Sequence, residues 1–246
     1  MRKIKWQLIL GISLAVLSAA LYSVHFLIFR DSRHIFIYLL GDVAFLPIEV
    51  LLVTLIIDRV LSVREKRAML DKLNMVIGAF FSEVGLRLLY HFSSFDLNAS
   101  NIKKELSGID SWKDRDFDRV KLLVKKFKYS VSPRSGNLEA LKGFLTNKRA
   151  FLLRLLENPN LLEHEKFTEL LWAVFHLTEE LEYRKGLDAS PESDLNHIAG
   201  DIKRAYVILI GEWLEYIKHL KNSYPYLFSL ASRINPFDEN ASPIVR

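Results

Sequence analysis

The chain has 246 residues, of which 50% are hydrophobic, and its 34 Lys and Arg against 29 Asp and Glu give a formal net charge of +5. A surplus that small does not indicate nucleic-acid binding. The chain contains no cysteine, which excludes disulfides, thiolate metal ligands and a cysteine nucleophile.

Two apolar segments near the start of the chain, residues 6–29 and 35–57, are typical of transmembrane helices. The first carries no charge apart from that of a protonated His25, and the second contains only the acids Asp42 and Glu49. At 1.5 Å per residue each helix is about 35 Å long, enough to cross a hydrocarbon core of about 30 Å. The sequence therefore predicts a transmembrane hairpin over residues 1–57 that contacts the lipid bilayer.

A cleaved signal peptide is the alternative interpretation of the first segment, because MRKIK is basic and LSAA resembles a cleavage site. The apolar run continues through LYSVHFLIF, beyond the length of a signal peptide's apolar region, and this favours an uncleaved helix. Basic residues precede the first helix and follow the second, and the connector RDSRH is short. We therefore expect a two-pass protein of the cell (inner) membrane with both termini in the cytoplasm.

The rest of the chain has the residue spacing of helices and lacks the alternation typical of strands. The second membrane helix is expected to continue as a connecting helix over residues 58–94. Apolar residues recur there every three or four positions: Met69, Leu73, Val76, Ile77, Phe80, Val84 and Leu88. Residues 95–238 are predicted to form a cytoplasmic helical bundle and residues 239–246 a loose tail. The predicted fold class is all-α.

Breaks in the pattern divide this bundle into separate helices. The stretches SVSPRSGN, ENPN and GLDASPESD are typical of loops. Ser111 and Asp114 have the spacing of a capping box, which predicts the start of one helix. Helices are expected at about 101–107, from 111 onward, and at 138–157, 161–184 and 194–222, with a short aromatic cap after the last.

Asp42 and Glu49 are seven residues apart, which places them on one face of the predicted membrane helix. A charged acid at that depth is costly, so each should face protein or water, be paired, or be protonated. One interpretation is a ring of acids around a cation-conducting pore in an oligomer. The other is that both acids are neutral and hydrogen-bond to Tyr22, Ser18 or the backbone near Pro47, holding helices together.

The predicted helices from 161 and 194 each carry a polar face opposite an apolar stripe. Histidines and carboxylates lie on these faces: Glu169, His176, Glu180, His197, Asp201, Glu215 and His219. Imidazole combined with carboxylate suits Zn, Fe or Mn, which makes these residues candidate metal ligands. The Glu-x-x-His spacing of di-iron bundles is incomplete, however. The sequence favours the other interpretation, a solvated face or a polar seam between helices.

A run of lysines follows on the helix after residue 111: Lys121, Lys125, Lys126 and Lys128. Such a run can contact anionic lipid, although on an exposed helix it more often faces solvent. The sequence contains no P-loop, Rossmann glycine pattern, HExxH or GxSxG motif. No cofactor is predicted.

Two segments, LLENPNLLEHEKFTELLWAVFHLTEEL (155–181) and IKHLKNSYPYLFSLASRINPFD (217–238), resemble an uncharacterised family of prokaryotic membrane proteins from archaea and bacteria. The similarity extends over most of the chain, including the hairpin. It implies a two-helix membrane protein with a helical cytoplasmic domain, and it implies no activity or site residues.

Three functional hypotheses follow. The first is a non-enzymatic, membrane-anchored interaction or sensory module that forms a homo-oligomer, because self-association shelters Asp42 and Glu49 from lipid. The second is an oligomeric cation channel whose pore those two acids line. The third is a metal-dependent enzyme built on His176, His197 and His219.

Overall fold

The computed structural model of the protein describes residues 2–159, 161 and 164–245. These residues form helices and loops, with one isolated antiparallel bridge between Asp96 and Val131. No strand occurs among them, so the predicted all-α fold class is confirmed. The chain divides into two compact units, residues 1–66 and 67–246.

The first unit contains helix α1 (Arg2–Phe29) and the first part of helix α2 (Ser32–Phe80). The segments Leu8–Phe29 and Ser32–Glu65 are long and apolar enough to cross a membrane, by length and composition, and their apolar windows are 0% buried. Their large hydrophobic side chains are therefore exposed. Helix α2 continues through Pro47.

The connection between α1 and α2 is short. Arg30 has a left-handed backbone conformation, with φ of 48°. The backbone N–H of His34 donates to Asp31 Oδ1 at 3.2 Å, so that Asp31 caps the first turn of α2. The rings of His25 and His34 stack with their centroids 6.0 Å apart, which brings the end of α1 next to the start of α2.

A third segment, Lys72–Phe95, also has the length and composition of a membrane span. Its apolar window is 44% buried, because Leu73, Ile77 and Phe80 lie in the core of the second unit. The apolar residues that recur over positions 69–88 therefore form part of a protein core.

The second unit begins with the end of α2, which passes through a π-helical turn (Phe81–Gly85) before the next helix. The helices that follow are α3 (Leu86–Phe95), α4 (Ala99–Leu106), α5 (Asp114–Lys126), α6 (Leu138–Leu156), α7 (Glu165–Tyr183), α8 (Glu192–Ser223) and α9 (Pro225–Arg233). Short 3₁₀ turns precede α5 and α8.

Helix α8 lies at the centre of the second unit, where it packs against α3, α5, α7 and α9, while α6 packs against α7. The apolar stripes predicted on α7 and α8 are buried, and Phe167, Tyr206 and Trp213 are fully inaccessible. Burial of large aromatic side chains is the main favourable term for such a core. The polar faces of α7 and α8 are thereby held in fixed positions.

The predicted start of α5 was wrong by a turn. Ser111 lies in the 3₁₀ turn, and the cap is formed instead by Asp116, whose Oδ2 accepts from the Lys113 backbone N–H at 2.8 Å. Trp112 is buried and its ring lies 5.1 Å from that of Phe117, which fixes the chain before the helix begins. Helix α7 begins at Glu165, and residues 162 and 163 of the predicted 161–184 helix lie outside the described residues.

Candidate metal centre

Two His-x-x-x-acid pairs meet between helices α7 and α8. His176 and Glu180 lie one turn apart on α7, and His197 and Asp201 lie one turn apart on α8. Residues four apart share one face of a helix, so each helix presents one imidazole and one carboxylate. Because His176 contacts Asp201 and Glu180 contacts His197, the two helices are antiparallel at this point.

The side-chain donor atoms of the four residues converge. His176 Nε2 lies 3.8 Å from Glu180 Oε1 and 3.6 Å from Asp201 Oδ2. His197 Nε2 lies 3.7 Å from Glu180 Oε2 and 3.4 Å from the same Asp201 oxygen. One donor atom from each of His176, Glu180 and His197 lies within 4.8 Å of the others.

Asp201 is the buried member of this cluster, with 3% of its side chain exposed. Its Oδ1 pairs with Arg204 Nη1 at 3.2 Å, whereas its Oδ2 is inaccessible and has no hydrogen-bond partner within the described part of the chain. A buried acceptor without a partner costs about 1–3 kcal/mol. Two imidazole nitrogens lie 3.4 and 3.6 Å from this buried oxygen, so a cation bound between them would supply the partner that it lacks.

Arg184 holds the Glu180 carboxylate in place. Its Nη1 donates to Glu180 Oε2, and its Nη2 and Nε donate to Asp194 at 2.7 and 3.0 Å. The hydrogen bond from Arg184 lowers the pKa of Glu180, and the same guanidinium lowers the pKa of Asp194. The pKa of Arg184 is raised, first by its hydrogen bond with Asp194. Glu180 is thus ionised and held in place, as outer-shell partners hold metal ligands.

The geometry suits a small transition-metal ion. Metal–ligand bonds of about 2.0–2.1 Å at tetrahedral angles put neighbouring ligand atoms about 3.3 Å apart. The four histidine–carboxylate separations, 3.4–3.8 Å, exceed that by a few tenths of an ångström. The side chains of His176 and His197 are 46% and 53% exposed, so both rings have room to rotate inward. Two imidazoles and two carboxylates favour Zn, Fe or Mn over Mg and Ca.

The other predicted metal ligands lie elsewhere. Glu215 pairs with Lys121, and His219 Nδ1 lies 3.4 Å from the side-chain amide of Asn74. Glu169 is exposed on α7 and lines a small cleft with Lys166. The structure therefore brings together His176, Glu180 and His197, with Asp201 beside both histidines, and leaves the other three apart.

The remaining predicted site residues are distributed as follows. Lys121 is held by Glu215, whereas Lys125, Lys126 and Lys128 are exposed. Asp42, Glu49, Tyr22 and Ser18 are exposed on the first unit, and the described residues show no hydrogen bond or ion pair between them. Whether these residues contact lipid, ions or a second copy of the chain stays a prediction.

Sequence reasoning did not identify Arg184 as a member of the site. The signal was present, because Arg184 follows His176 and Glu180 at the same four-residue interval. The two His-x-x-x-acid pairs were also visible as a repeated spacing on neighbouring helices. What the sequence lacked was the register at which α7 and α8 meet.

Fold and site together define a helical protein with an apolar N-terminal hairpin and a histidine–carboxylate cluster between two antiparallel helices. The chain belongs to the family described as uncharacterized protein MJ1433. Residues 69–233 match its C-terminal helical domain and residues 2–61 its N-terminal helical domain. The predicted resemblance to an uncharacterised family with archaeal members is thus confirmed.

A relative from Methanocaldococcus jannaschii, Uncharacterized protein MJ1433, is 48% identical over 237 residues. That similarity covers 96% of this chain and 95% of the relative, so both the hairpin and the helical domain are shared. No solved structure matches the chain.

Proposed function

We propose that this chain is a two-pass membrane protein whose helical domain binds a divalent transition metal and acts as a metal-responsive interaction module. The observation that carries the proposal is the convergence of His176 Nε2 and His197 Nε2 on the buried, unpartnered Oδ2 of Asp201. An ion held there joins α7 to α8. Because α8 is the central helix of the domain, metal binding stabilises the packing of the whole unit.

A binding role fits this ligand set better than a catalytic one. Donor atoms of His176, Glu180 and His197 lie within 4.8 Å of one another, and Asp201 Oδ2 lies beside both histidines. With Asp201 as the fourth ligand the coordination of an ion such as Zn²⁺ is complete, whereas catalytic zinc sites keep one position for water or substrate. The ion also lies between two helices whose relative position it fixes. With a site of this kind the stability of the domain depends on the metal concentration, as a sensory or interaction module requires.

The membrane assignment rests on the first unit. Leu8–Phe29 and Ser32–Glu65 are long and apolar enough to cross a bilayer, and their hydrophobic side chains are exposed. The flanking basic residues support an orientation with both termini in the cytoplasm. Asp42 and Glu49 are exposed on this surface, which supports a homo-oligomer in which neighbouring helices cover them.

Direct metal binding tests the proposal. The full chain, purified in mild detergent without a polyhistidine tag and stripped with chelator, is dialysed against Zn²⁺ and Mn²⁺ and the bound metal is quantified. We expect one ion per chain, and at least about a 100-fold lower affinity in Asp201→Asn and His197→Ala, since even outer-shell changes cost 10–100-fold.

Glu169→Gln is the matched control, because Glu169 lies on the same helix and outside the cluster. Its metal affinity should equal that of the unsubstituted chain. Absence of stoichiometric metal, or equal losses in Glu169→Gln and Asp201→Asn, would contradict the proposal.

A cation channel is the second candidate function, and the exposure of Asp42 and Glu49 on the apolar hairpin favours it. A closed oligomer of four or more chains, measured by a mass method that discounts detergent, is its first requirement. Asp42→Asn and Glu49→Gln should then alter cation flux into liposomes without dissociating the oligomer. A monomer or dimer, or unchanged flux, excludes the channel.

A further inference from the structure

The side chains of the candidate metal centre can supply different numbers of donor atoms to an ion. Each imidazole gives one nitrogen, whereas each carboxylate gives either one oxygen or both. The two histidines with Glu180 and Asp201 therefore offer four donors if both carboxylates bind through one oxygen, and six if both chelate. Four donors suit tetrahedral Zn²⁺, whereas six suit the octahedral geometry that Mn²⁺ prefers. The availability of the carboxylate oxygens thus determines which ion the centre binds best.

An arginine contacts one oxygen of Asp201. Arg204 follows three residues later on α8, and its Nη1 lies 3.2 Å from Asp201 Oδ1. The other oxygen, Oδ2, lies 3.4 Å from His197 Nε2 and 3.6 Å from His176 Nε2. The Asp201 side chain is 3% exposed and that of Arg204 is 60% exposed, so the guanidinium reaches the buried carboxylate from the surface. Asp201 therefore presents one oxygen to the arginine and the other to the histidines.

A second arginine contacts one oxygen of Glu180. Arg184 Nη1 donates to Glu180 Oε2, and the same nitrogen donates to the Glu180 backbone carbonyl at 2.5 Å. The backbone bond fixes the guanidinium relative to the end of α7. Glu180 Oε2 also lies 3.7 Å from His197 Nε2, whereas Oε1, which lies 3.8 Å from His176 Nε2, is the oxygen that the arginine does not contact.

A guanidinium on one oxygen of a carboxylate disfavours chelation of a cation by both oxygens. Its hydrogen bond occupies a lone pair of that oxygen, and an ion that moves toward the oxygen also approaches a positive charge. Arginine stays charged at every physiological pH, so this effect is permanent. Both carboxylates are therefore limited to one oxygen each, and the centre offers two nitrogens and two oxygens.

We propose that Arg184 and Arg204 are specificity-determining residues, which keep the centre four-coordinate and so select Zn²⁺ over six-coordinate ions such as Mn²⁺. This selectivity rests on the metal-binding function proposed above. Nitrogen and oxygen sites in general bind Zn²⁺ more tightly than Mn²⁺, and the two arginines enlarge that preference. An arginine that only neutralises a buried acid changes both affinities in the same direction and leaves their ratio unaltered.

Arg204→Ala is the sharper test, because Arg184 also bonds Asp194 and its loss disturbs more than the centre. The full chain, untagged and in mild detergent, is titrated separately with Zn²⁺ and Mn²⁺ by equilibrium dialysis. The ratio of the Mn²⁺ Kd to the Zn²⁺ Kd should fall at least about tenfold in Arg204→Ala. Loss of an outer-shell partner weakens Zn²⁺ binding 10–100-fold, while the freed Asp201 oxygen becomes an extra ligand for Mn²⁺.

Lys203→Ala is the matched control, because Lys203 is the adjacent exposed cation on α8. It removes the same charge from the same helix, so it should change both affinities alike and leave their ratio unaltered. An equal fall of the ratio in Lys203→Ala and Arg204→Ala, or no fall in Arg204→Ala, overturns the inference while metal binding itself stands. Failure of the unsubstituted chain to bind either ion contradicts the proposed function and the selectivity together.

The visible spectrum of the Co²⁺-loaded chain is a second measurement, and it does not depend on the folding of a variant. Four-coordinate Co²⁺ absorbs visible light much more strongly than six-coordinate Co²⁺, and Co²⁺ follows Zn²⁺ in its choice of ligands. We expect an intense band in the unsubstituted chain and in Lys203→Ala, and a weaker one in Arg204→Ala. A weak, six-coordinate spectrum in the unsubstituted chain overturns the inference.

Discussion

Substituting Glu212 by Gln should stabilise the protein above neutral pH and leave it unchanged near pH 4.5. Glu212 lies on α8 with 4% of its surface exposed. Burial, followed by the charge of Glu215, raises its pKa from 4.5 to about 7. Five charged or titratable groups face it. Lys121 lies on α5, Lys166 and Glu169 lie on α7 with His164 at its N-cap, and Glu215 lies on α8.

The magnitude follows from the pKa. Each pKa unit corresponds to about 1.4 kcal/mol, so ionising Glu212 costs the folded state about 3 kcal/mol. The sign of the pH dependence follows because the pKa of this carboxyl group is higher in the folded chain than in the unfolded chain. The folded chain binds the proton more tightly, so stability falls as pH rises from 4.5 to 7 and the loss is complete above 7. Gln has no proton to lose, and Glu212→Gln should avoid that loss.

Thermal unfolding of the full chain in detergent measures the effect, with the fluorescence of the buried Trp213 as its signal. At about 2–4 °C per kcal/mol for a domain of 150–250 residues, Glu212→Gln should raise Tm by roughly 6–12 °C at pH 8. It should change Tm little at pH 4.5. Glu157→Gln, at an exposed glutamate, is the control and should show no pH-dependent difference. An equal Tm difference at both pH values, or a lower Tm at pH 8, would refute the reasoning.

Three further predictions concern the metal centre and the core. In chelator, Asp201→Asn should raise Tm, because its amide can donate to a neighbouring imidazole. Zn²⁺ at 100 times its Kd should raise the Tm of the unsubstituted chain by roughly 5–11 °C, and Asp201→Asn should abolish that rise. Arg184→Gln should weaken Zn²⁺ binding 10–100-fold by dialysis while leaving its 1:1 stoichiometry. Gly136→Ala should lower the free energy of unfolding, measured by urea titration, by about 1–3 kcal/mol, because the added Cβ meets the buried Phe95 ring at 2.5 Å. Gly143→Ala, at a position with nothing within 4 Å, should raise it by about 0.4–1 kcal/mol.

The helices could be predicted from the sequence because their burial follows the hydrophobic spacing. Leu73, Ile77, Phe80, Val84 and Leu88 recur every three or four residues and are all buried. The start of α5 could not be read from residue types alone. Ser111 and Asp114 have a capping spacing, but the burial of Trp112 against α5 is a tertiary contact that moves the cap to Asp116.

The candidate metal centre was predicted only as a broad set of residues. Elementary geometry already narrows that set, because at 1.5 Å per residue Glu215 lies about 27 Å along α8 from His197. No single ion can bind both. The remaining step, that His176 lies opposite Asp201, depends on the register between two helices. That register is set by the packing of their apolar stripes and by the eight-residue connection from Arg184 to Pro191.

Asp201 connects the stability of the domain to its proposed function. A carboxylate oxygen buried without a partner destabilises the metal-free fold by about 1–3 kcal/mol. An ion that coordinates this oxygen removes that penalty when it binds. At about 1.4 kcal/mol per tenfold change, the relief strengthens metal binding by roughly 5- to 150-fold compared with a site built on a solvated carboxylate. The same burial explains why Asp201→Asn should stabilise the metal-free chain and yet abolish its response to zinc, a pair of opposite effects that a purely structural aspartate does not produce.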